Sequence, residues 1–168
     1  PAGPCFVLAL ALLAGCASAP QSSRLVDGPP AGLPPSAELR EVPFFAQERY
    51  QCGPAALAMV LADLGREAEP AALVDAVYVP AKQGSLPTEM RAATRARGAV
   101  AYPLAPRLED LLQEIAGGRP VLVMQNLGLD WWPRWHFAVA VGYDLREEVI
   151  VLRSGLQRRR VTDLAVFE

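Results

Sequence analysis

The chain has 168 residues, of which 52% are hydrophobic and 20% are charged, and its formal net charge is −2 at pH 7. This size and balance predict one globular domain with an appended segment, and nothing in them predicts nucleic-acid binding. One histidine and no C-x-x-C pair leave no motif for a metal site. Neither a G-x-x-x-x-G-K phosphate-binding loop nor a dinucleotide fingerprint occurs, so we expect no cofactor and no ATP binding.

The N-terminal residues have the pattern of a secretory signal. Residues 6–14 form an apolar run that is too short to cross a bilayer, and Leu13-Ala14-Gly15-Cys16 follows at its end. Small residues before a cysteine at this place resemble the lipobox of bacterial lipoproteins, which implies that Cys16 is lipidated and becomes the mature N-terminus. We therefore expect a signal peptide over residues 1–16 and a protein held by lipid at the bacterial cell envelope, facing the periplasm or the extracytoplasmic side. A plain signal peptide or a short core helix is the alternative.

Residues 17–40 are rich in proline, glycine and serine and contain few large apolar side chains. This composition predicts a tether. The patterning becomes globular at Glu41, so we expect the folded domain over residues 41–168. Removal of the signal and lipidation of Cys16 would leave Cys52 as the one free thiol of this domain.

Cys52 begins an apolar segment that predicts a helix over residues 52–64, with Gly65 in the C′ position. Unpaired N–H groups and the helix dipole stabilise a negative charge at a helix start, so we expect an acidified thiol. A lone cysteine in an oxidising compartment also favours a chemical use. Burial of Cys52 as an inert small hydrophobic residue is the alternative.

Helical patterns fill the first half of the domain and strand patterns the second. Further helices are predicted over residues 70–78, from after Ser85 to Gly98, and after Pro106, where apolar residues recur at i, i+3, i+4 and i+7. Strands are predicted over residues 42–45, 121–124, 137–141, 149–152 and 158–161. This order predicts an α+β domain, in which a helical half with a buried central helix packs against a C-terminal antiparallel sheet.

His136 is the only histidine and lies between Trp135 and Phe137 at the start of a predicted strand. Imidazole titrates near neutrality, so His136 is the one side chain suited to act as a base for Cys52. A hydrogen-bonded core histidine is the alternative. The sequence alone does not place His136 beside Cys52.

The combination of Gln47, the Cys52-Gly53-Pro54 segment and a late, strand-borne His136 is similar to papain-like cysteine peptidases. The closest resemblance is to the branch that removes bacteriocin leader peptides after a double glycine, and it covers roughly residues 42–156. It implies that Cys52 is the nucleophile and His136 the general base and acid. Gln47 would be an oxyanion donor beside the backbone N–H of Cys52, and the partner would be a peptide or protein substrate.

The chain departs from this family at the residue that orients the histidine. The family has Asp-Pro after the next strand, where this chain has Arg153-Ser154-Gly155. Asp144 is eight residues from His136, about 26 Å along an extended strand, so it is too far to orient the imidazole. A hairpin turn that begins at Asp144 brings Ser154 opposite His136. Ser154 is therefore the predicted orienting residue, Asn126 is its rival, and a bare Cys/His dyad is the third option.

Two further clusters have both a structural and a functional interpretation. Trp131, Trp132 and Trp135 either fill the core or anchor a loop, or they form an aromatic wall of a peptide groove. The run Arg158–Arg160 either keeps a strand edge solvated or binds an acidic substrate segment.

These observations predict a lipid-anchored cysteine peptidase that cleaves a peptide bond through a thioester on Cys52. Another papain-like acyl-transfer enzyme, such as an amidase or a transpeptidase, would use the same residues on a different leaving group. A peptide-binding module that keeps the fold without turnover is the alternative from another class.

Overall fold

The computed structural model describes residues 19–47, 50–66 and 68–168 of the chain. The predicted signal segment 1–16 and its lipidation site Cys16 lie outside the described residues. The described helices are α1 (Pro20–Asp27), α2 (Cys52–Asp63), α3 (Pro70–Val77), α4 (Pro87–Ala96), α5 (Leu108–Ala116) and α6 (Leu164–Phe167). None of them is both long and apolar enough to cross a membrane.

The described strands are β1 (Ser36–Glu38), β2 (Tyr78–Val79), β3 (Gly84–Ser85), β4 (Val121–Asn126), β5 (Trp135–Asp144), β6 (Val149–Ser154) and β7 (Gln157–Asp163). Each of the four strands predicted in the second half of the chain lies inside an observed strand. Helices and an antiparallel sheet combine as expected, so the predicted α+β class is confirmed.

Strand β5 is the centre of the main sheet and is buried over residues 137–143. Strand β6 pairs with one side of β5, and β7 pairs with β6 to form one edge of the sheet. Strands β4 and β1 lie end to end along the other side of β5, opposite residues 135–140 and 142–144 respectively. The sheet is antiparallel throughout, and β2 and β3 form a separate small hairpin.

The sheet separates two hydrophobic clusters, because successive side chains of a strand point to opposite faces. Val139 and Val151 belong to the cluster that contains helix α2. Ala140 and Leu152, their neighbours along the chain, belong to the cluster that contains helix α5. The sheet therefore has helices on both faces, and α2 is the buried central helix that the sequence predicts.

Helix α2 packs closely at its start and ends at Gly65 as predicted. A Cβ atom on Gly53 would lie 2.1 Å from Ser85 Oγ, so only glycine allows β3 to approach the first turn this closely. At the other end Gly65 has φ 69°, and its N–H donates to the Ala62 carbonyl oxygen at 3.0 Å. This left-handed residue in the C′ position stops the helix.

The structure differs from the tether predicted over residues 17–40, because the chain packs on the domain from α1 onward. Leu25 of α1 is buried in the α5 cluster, and β1 pairs with β5. Ser22 donates from its N–H to a Glu168 carboxylate oxygen at 2.8 Å. Composition does not reveal this packing, because β1 is held by backbone pairing and α1 by one large apolar side chain.

The prediction of a short strand over residues 42–45 is wrong. Residues 43–47 have no regular secondary structure. The N–H of Val42 turns back to the Leu39 carbonyl oxygen at 3.4 Å, and Pro43 has no N–H to give to a ladder. Phe44 and Phe45 instead pack half-buried against the α2 cluster, which explains their apolar pattern.

The guanidinium of Arg153 is buried, with only 2% of the residue exposed, and it binds backbone carbonyl groups. It donates to the oxygens of Arg40 at 3.0 Å and Val42 at 3.3 Å, and also to the oxygen of Arg158. Burial, with a smaller contribution from the nearby Arg158, lowers the pKa of Arg153. Arg153 thus joins β6 and β7 to the segment that leads toward Gln47.

Candidate active site

Cys52 is the first residue of α2 and is a half-buried free cysteine at the edge of the α2 cluster. The first N–H groups of a helix lack intrahelical partners, so the thiol lies at the positive end of the helix dipole. Tyr50, two residues before it, has φ 66°, which is uncommon outside glycine and turns the chain into the helix. Backbone conformations of this kind cluster at functional sites.

His136 lies near the start of β5, and the structure places Ser154 beside it. The ring atom Nε2 of His136 is 3.0 Å from Ser154 Oγ, at hydrogen-bond distance. The β5–β6 hairpin produces this contact, since Val139 pairs with Arg153 and the two strands run antiparallel. Because Nε2 is engaged by Ser154, Nδ1 is the ring nitrogen left for a second partner.

Burial and a neighbouring charge both act against the imidazolium form of His136. Removal from solvent lowers the pKa of His136, and the positive charge of Arg160 on β7 lowers it further. Ser154 is neutral and offers no charge in compensation. The ring is therefore held in its neutral form at neutral pH.

Gln47 is 7% exposed and connects the segments that carry the other site residues. Its Nε2 donates to the carbonyl oxygens of Phe137 at 3.0 Å and Cys52 at 3.4 Å. Its Oε1 accepts the N–H of Gly155 at 2.6 Å, and its own backbone N–H donates to the Gly155 carbonyl oxygen at 2.9 Å. Because the partners are two carbonyl acceptors and one N–H donor, they assign the nitrogen and the oxygen of the side-chain amide.

This network brings together the neighbours of Cys52, His136 and Ser154 around one amide. Within the described residues no hydrogen bond joins the Cys52 thiol directly to His136. Both hydrogens of Gln47 Nε2 face carbonyl oxygens, and the contact to Cys52 is the longer of the two. The role of Gln47 as an oxyanion donor stays a prediction, beside its observed role as a clamp.

Asn126 and Asp144, the two other residues weighed as partners of His136, bind turns instead. Asn126 Oδ1 accepts the N–H groups of Gly128 and Arg134, each at 2.9 Å. Asp144 Oδ1 accepts the N–H of Arg146 at 2.9 Å and stabilises the hairpin turn. Their side chains shape the loops at the two ends of β5.

The three tryptophans do not fill the core. Trp131, Trp132 and Trp135 are 77%, 69% and 61% exposed, and the rings of Trp131 and Trp132 meet edge to face at 6.4 Å. Trp131 and Trp132 lie on the loop before β5, and Trp135 is the first residue of β5. The aromatic wall of a peptide groove stays a prediction.

The Arg158–Arg160 run has structural contacts that its sequence does not reveal. The guanidinium of Arg159 donates to the Glu38 carboxylate at 2.9 Å, and Arg160 acts on His136 electrostatically. The effect of Arg160 on the pKa of His136 was not predicted from the sequence. The available signal was strand pairing, because Arg160 lies opposite Leu152, on the same sheet face as Ser154.

Comparison with known protein families gives a match over most of the folded domain. The model of the Peptidase_C39 like family matches residues 39–163, which reach from the end of β1 to the end of β7. The matched region contains Cys52, His136, Gln47 and Ser154. No curated protein and no solved structure gave a significant match.

Replacing Arg160 by glutamine should raise the pKa of His136, because the substitution removes a positive charge that opposes the imidazolium. An NMR titration measures this directly, since the chain has one histidine. A Cys52→Ala background keeps thiolate charge out of the titration. Arg158→Gln removes the same charge two residues away and should shift the curve less.

In the chain that retains Cys52, Arg160→Gln should also move the acidic limb of kcat/KM to higher pH. A base must be neutral to accept a proton, and a raised pKa delays that form as the pH increases. Superimposable titration curves for the parent and Arg160→Gln would show that Arg160 does not act on the imidazole.

Proposed function

The chain belongs to the Peptidase C39 like family, and on this ground we propose that it hydrolyses peptide bonds by acyl transfer through Cys52. Its α+β domain is the papain-like fold of that family, with Cys52 at the start of the central helix and His136 on the sheet. The observation that carries the proposal is the network in which Gln47 joins the segments of Cys52, His136 and Ser154.

The proposed reaction has two acyl-transfer steps. Cys52 Sγ attacks the peptide carbonyl carbon as His136 Nδ1 takes the thiol proton, and the carbonyl electron pair moves to the oxygen. The tetrahedral intermediate collapses when the C–N bond breaks, and His136 gives its proton to the leaving amine. Water then attacks the thioester with His136 as base, which releases the carboxylic acid and restores the Cys52 thiol.

Ser154 would set the tautomer of His136 for this reaction. Nδ1 can accept the thiol proton only if the neutral ring carries its hydrogen on Nε2, and Ser154 Oγ lies where it accepts that N–H. A hydroxyl is a weaker partner for imidazolium than a carboxylate. Together with the lowered pKa of His136, this favours proton transfer during attack over a preformed thiolate–imidazolium pair.

Gln47 would stabilise the oxyanion by exchanging one contact. The 3.4 Å interaction of Nε2 with the Cys52 carbonyl is long for a hydrogen bond, so its hydrogen is the one that an oxyanion can capture. The contacts to Phe137 and Gly155 would stay and keep the amide in place. A donor that strengthens mainly in the transition state lowers the barrier to the chemical step.

A peptide-binding module without turnover is the second candidate function. The observation that favours it is the sequence Arg153-Ser154 at the position where the family has Asp-Pro, which leaves His136 without a carboxylate partner. Such a module would use the same fold and substrate cleft. It would differ in leaving bound peptides intact.

We further propose that the protein acts at the bacterial cell envelope, held by lipid on Cys16. This rests on the signal-like segment that ends in Leu13-Ala14-Gly15-Cys16. The substrate would then be a peptide or protein at the same membrane.

Cys52→Ala and His136→Ala should each abolish peptide hydrolysis and leave the fold intact. The first removes the atom that forms the thioester, and the second removes the group that moves the proton. An electrophilic peptide probe together with a peptide-library assay checks both variants. Labelling of Cys52 without hydrolysis of any peptide by the parent chain would favour the binding module, and hydrolysis by Cys52→Ala would exclude the proposed nucleophile.

Gln47→Ala should lower kcat by about 10² to 10³ with little change in KM, because the lost donor acts in the transition state. Ser154→Ala should lower kcat by only about tenfold, since it removes one neutral hydrogen bond from the imidazole. Steady-state kinetics measures both, with Gln51→Ala as the amide control at the start of α2. Equal losses for Gln47→Ala and Gln51→Ala would contradict the oxyanion assignment.

Cys16→Ser should release the protein from membrane fractions, because lipid on that residue is the proposed source of membrane affinity. Cys5→Ser is the matched control, since it alters a cysteine of the same segment outside the lipobox-like sequence. Fractionation with immunoblotting measures the outcome. Retention of Cys16→Ser in the membrane would point to another anchor.

A further inference from the structure

The two edges of the main sheet differ in chemistry. The β7 edge carries the exposed run Arg158–Arg160, and such charges prevent another strand from pairing there. The β4 edge has the sequence Val-Leu-Val-Met-Gln-Asn over residues 121–126, with neither a charge nor a proline. An apolar edge of this kind is a template for an added strand unless something protects it.

The backbone of β4 has donors and acceptors that point away from β5. The N–H of Leu127 donates to the Arg134 carbonyl oxygen at 2.9 Å, in the same register as the β4–β5 ladder. Backbone groups alternate in direction along a strand, so Leu122, Met124 and Asn126 face outward. Among the described residues, none of these outward backbone groups has a hydrogen-bond partner.

The outward edge of β4 lies along a trench of ≈ 1190 Å³. One wall is the loop between α4 and α5, where Val100 and Tyr102 are exposed and Leu104 is half-buried. Helix α2 contributes Leu57 and Leu61. These walls are mainly apolar, and the free backbone groups of β4 are on the trench surface.

The trench passes the strand that carries His136, and its lining does not include the four candidate site residues. Gln125 pairs with His136 and Asn126 pairs with Trp135, so the end of β4 lies beside the histidine strand. Leu127 and Gly128 continue the trench into the loop of exposed tryptophans. A strand added outside β4 would lie two strand spacings, about 10 Å, from β5, and it would approach the histidine strand only past the end of β4 at Asn126.

We propose that the β4 edge binds an extended, apolar-rich segment of the peptide substrate as an additional antiparallel or parallel strand, an inference that rests on the proposed function. Only an extended backbone offers N–H and C=O groups at the spacing of Leu122, Met124 and Asn126. A second copy of this chain would have to insert the edge of a sheet that carries its own helices, which the walls on both sides of β4 oppose.

Met124 provides the sharpest test, because its N–H faces outward. Met124→Pro removes that donor and leaves the β4–β5 ladder unaltered, since proline is tolerated where an edge N–H faces solvent. Met124→Ala shortens the same side chain and keeps the N–H. Both substitutions are made in the Cys52→Ala background, so that binding is measured without hydrolysis.

The probe is a synthetic peptide in which leucine and serine alternate, and its affinity is measured by titration calorimetry. We expect Met124→Pro to bind it about tenfold more weakly or worse, and Met124→Ala to bind within about threefold of the parent. Peptide binding should also slow hydrogen exchange at the amides of Leu122, Met124 and Asn126. A probe that is N-methylated at alternate residues tests the same contacts on an unaltered β4, in case Met124→Pro does not fold.

Three results would overturn the inference. The first is equal affinity of the Met124→Pro and Met124→Ala chains for the probe. The second is unchanged exchange at the three outward amides when the peptide is bound. The third is protection of these amides by protein concentration alone, which would assign the edge to a second copy.

The experiment also separates this inference from the proposed function. Protection of the β4 amides by the peptide, in a parent chain that hydrolyses no member of the peptide library, would support the strand site and remove the peptidase proposal. Hydrolysis of the peptide without protection of β4 would remove the strand site alone.

Discussion

The side-chain amide of Gln47 contacts three segments of the candidate site and links the start of α2 to the sheet near His136. The contacts of this amide with Phe137 and Gly155 span 90 and 108 residues of sequence. A carboxylate would lose the donors to the two carbonyl groups, and a shorter amide would not reach all partners. Each buried partner left unpaired would cost about 1–3 kcal/mol, so few other side chains fit this position.

The charge around His136 differs from that of a histidine paired with a carboxylate. Arg153 and Ser154 are adjacent in sequence but point to opposite faces of β6. Arg153 is used to bind backbone carbonyl groups near Val42, while Ser154 meets the imidazole. The surroundings of the ring are therefore neutral or positive, which keeps it unprotonated and makes its basicity depend on burial and on Arg160.

Sequence patterns predicted the elements whose spacing repeats. The i, i+3, i+4, i+7 positions of α5 are buried at Leu108, Leu111, Leu112 and Ile115, and a hairpin starting at Asp144 brought Ser154 to His136 as the register required. Helix α1 and strand β1 were missed, because one buried leucine and backbone pairing leave little trace in composition. The buried Arg153 and the contacts of Gln47 were missed for another reason. Both depend on carbonyl groups brought together from distant segments, which no local pattern encodes.

The packing of α1 against the domain determines where the folded part of the chain begins relative to Cys16. If Cys16 carries lipid as proposed, Pro20, the first residue of α1, lies only four positions after it in the chain. Four residues of chain span at most about 14 Å, so the domain would lie close to the bilayer surface. A long linker would instead let the domain move away from the membrane. Ser22 and Leu25 fix the orientation of α1 on the domain. The candidate active site would then reach substrates at the membrane surface. Substrates farther away in solution would be beyond its range.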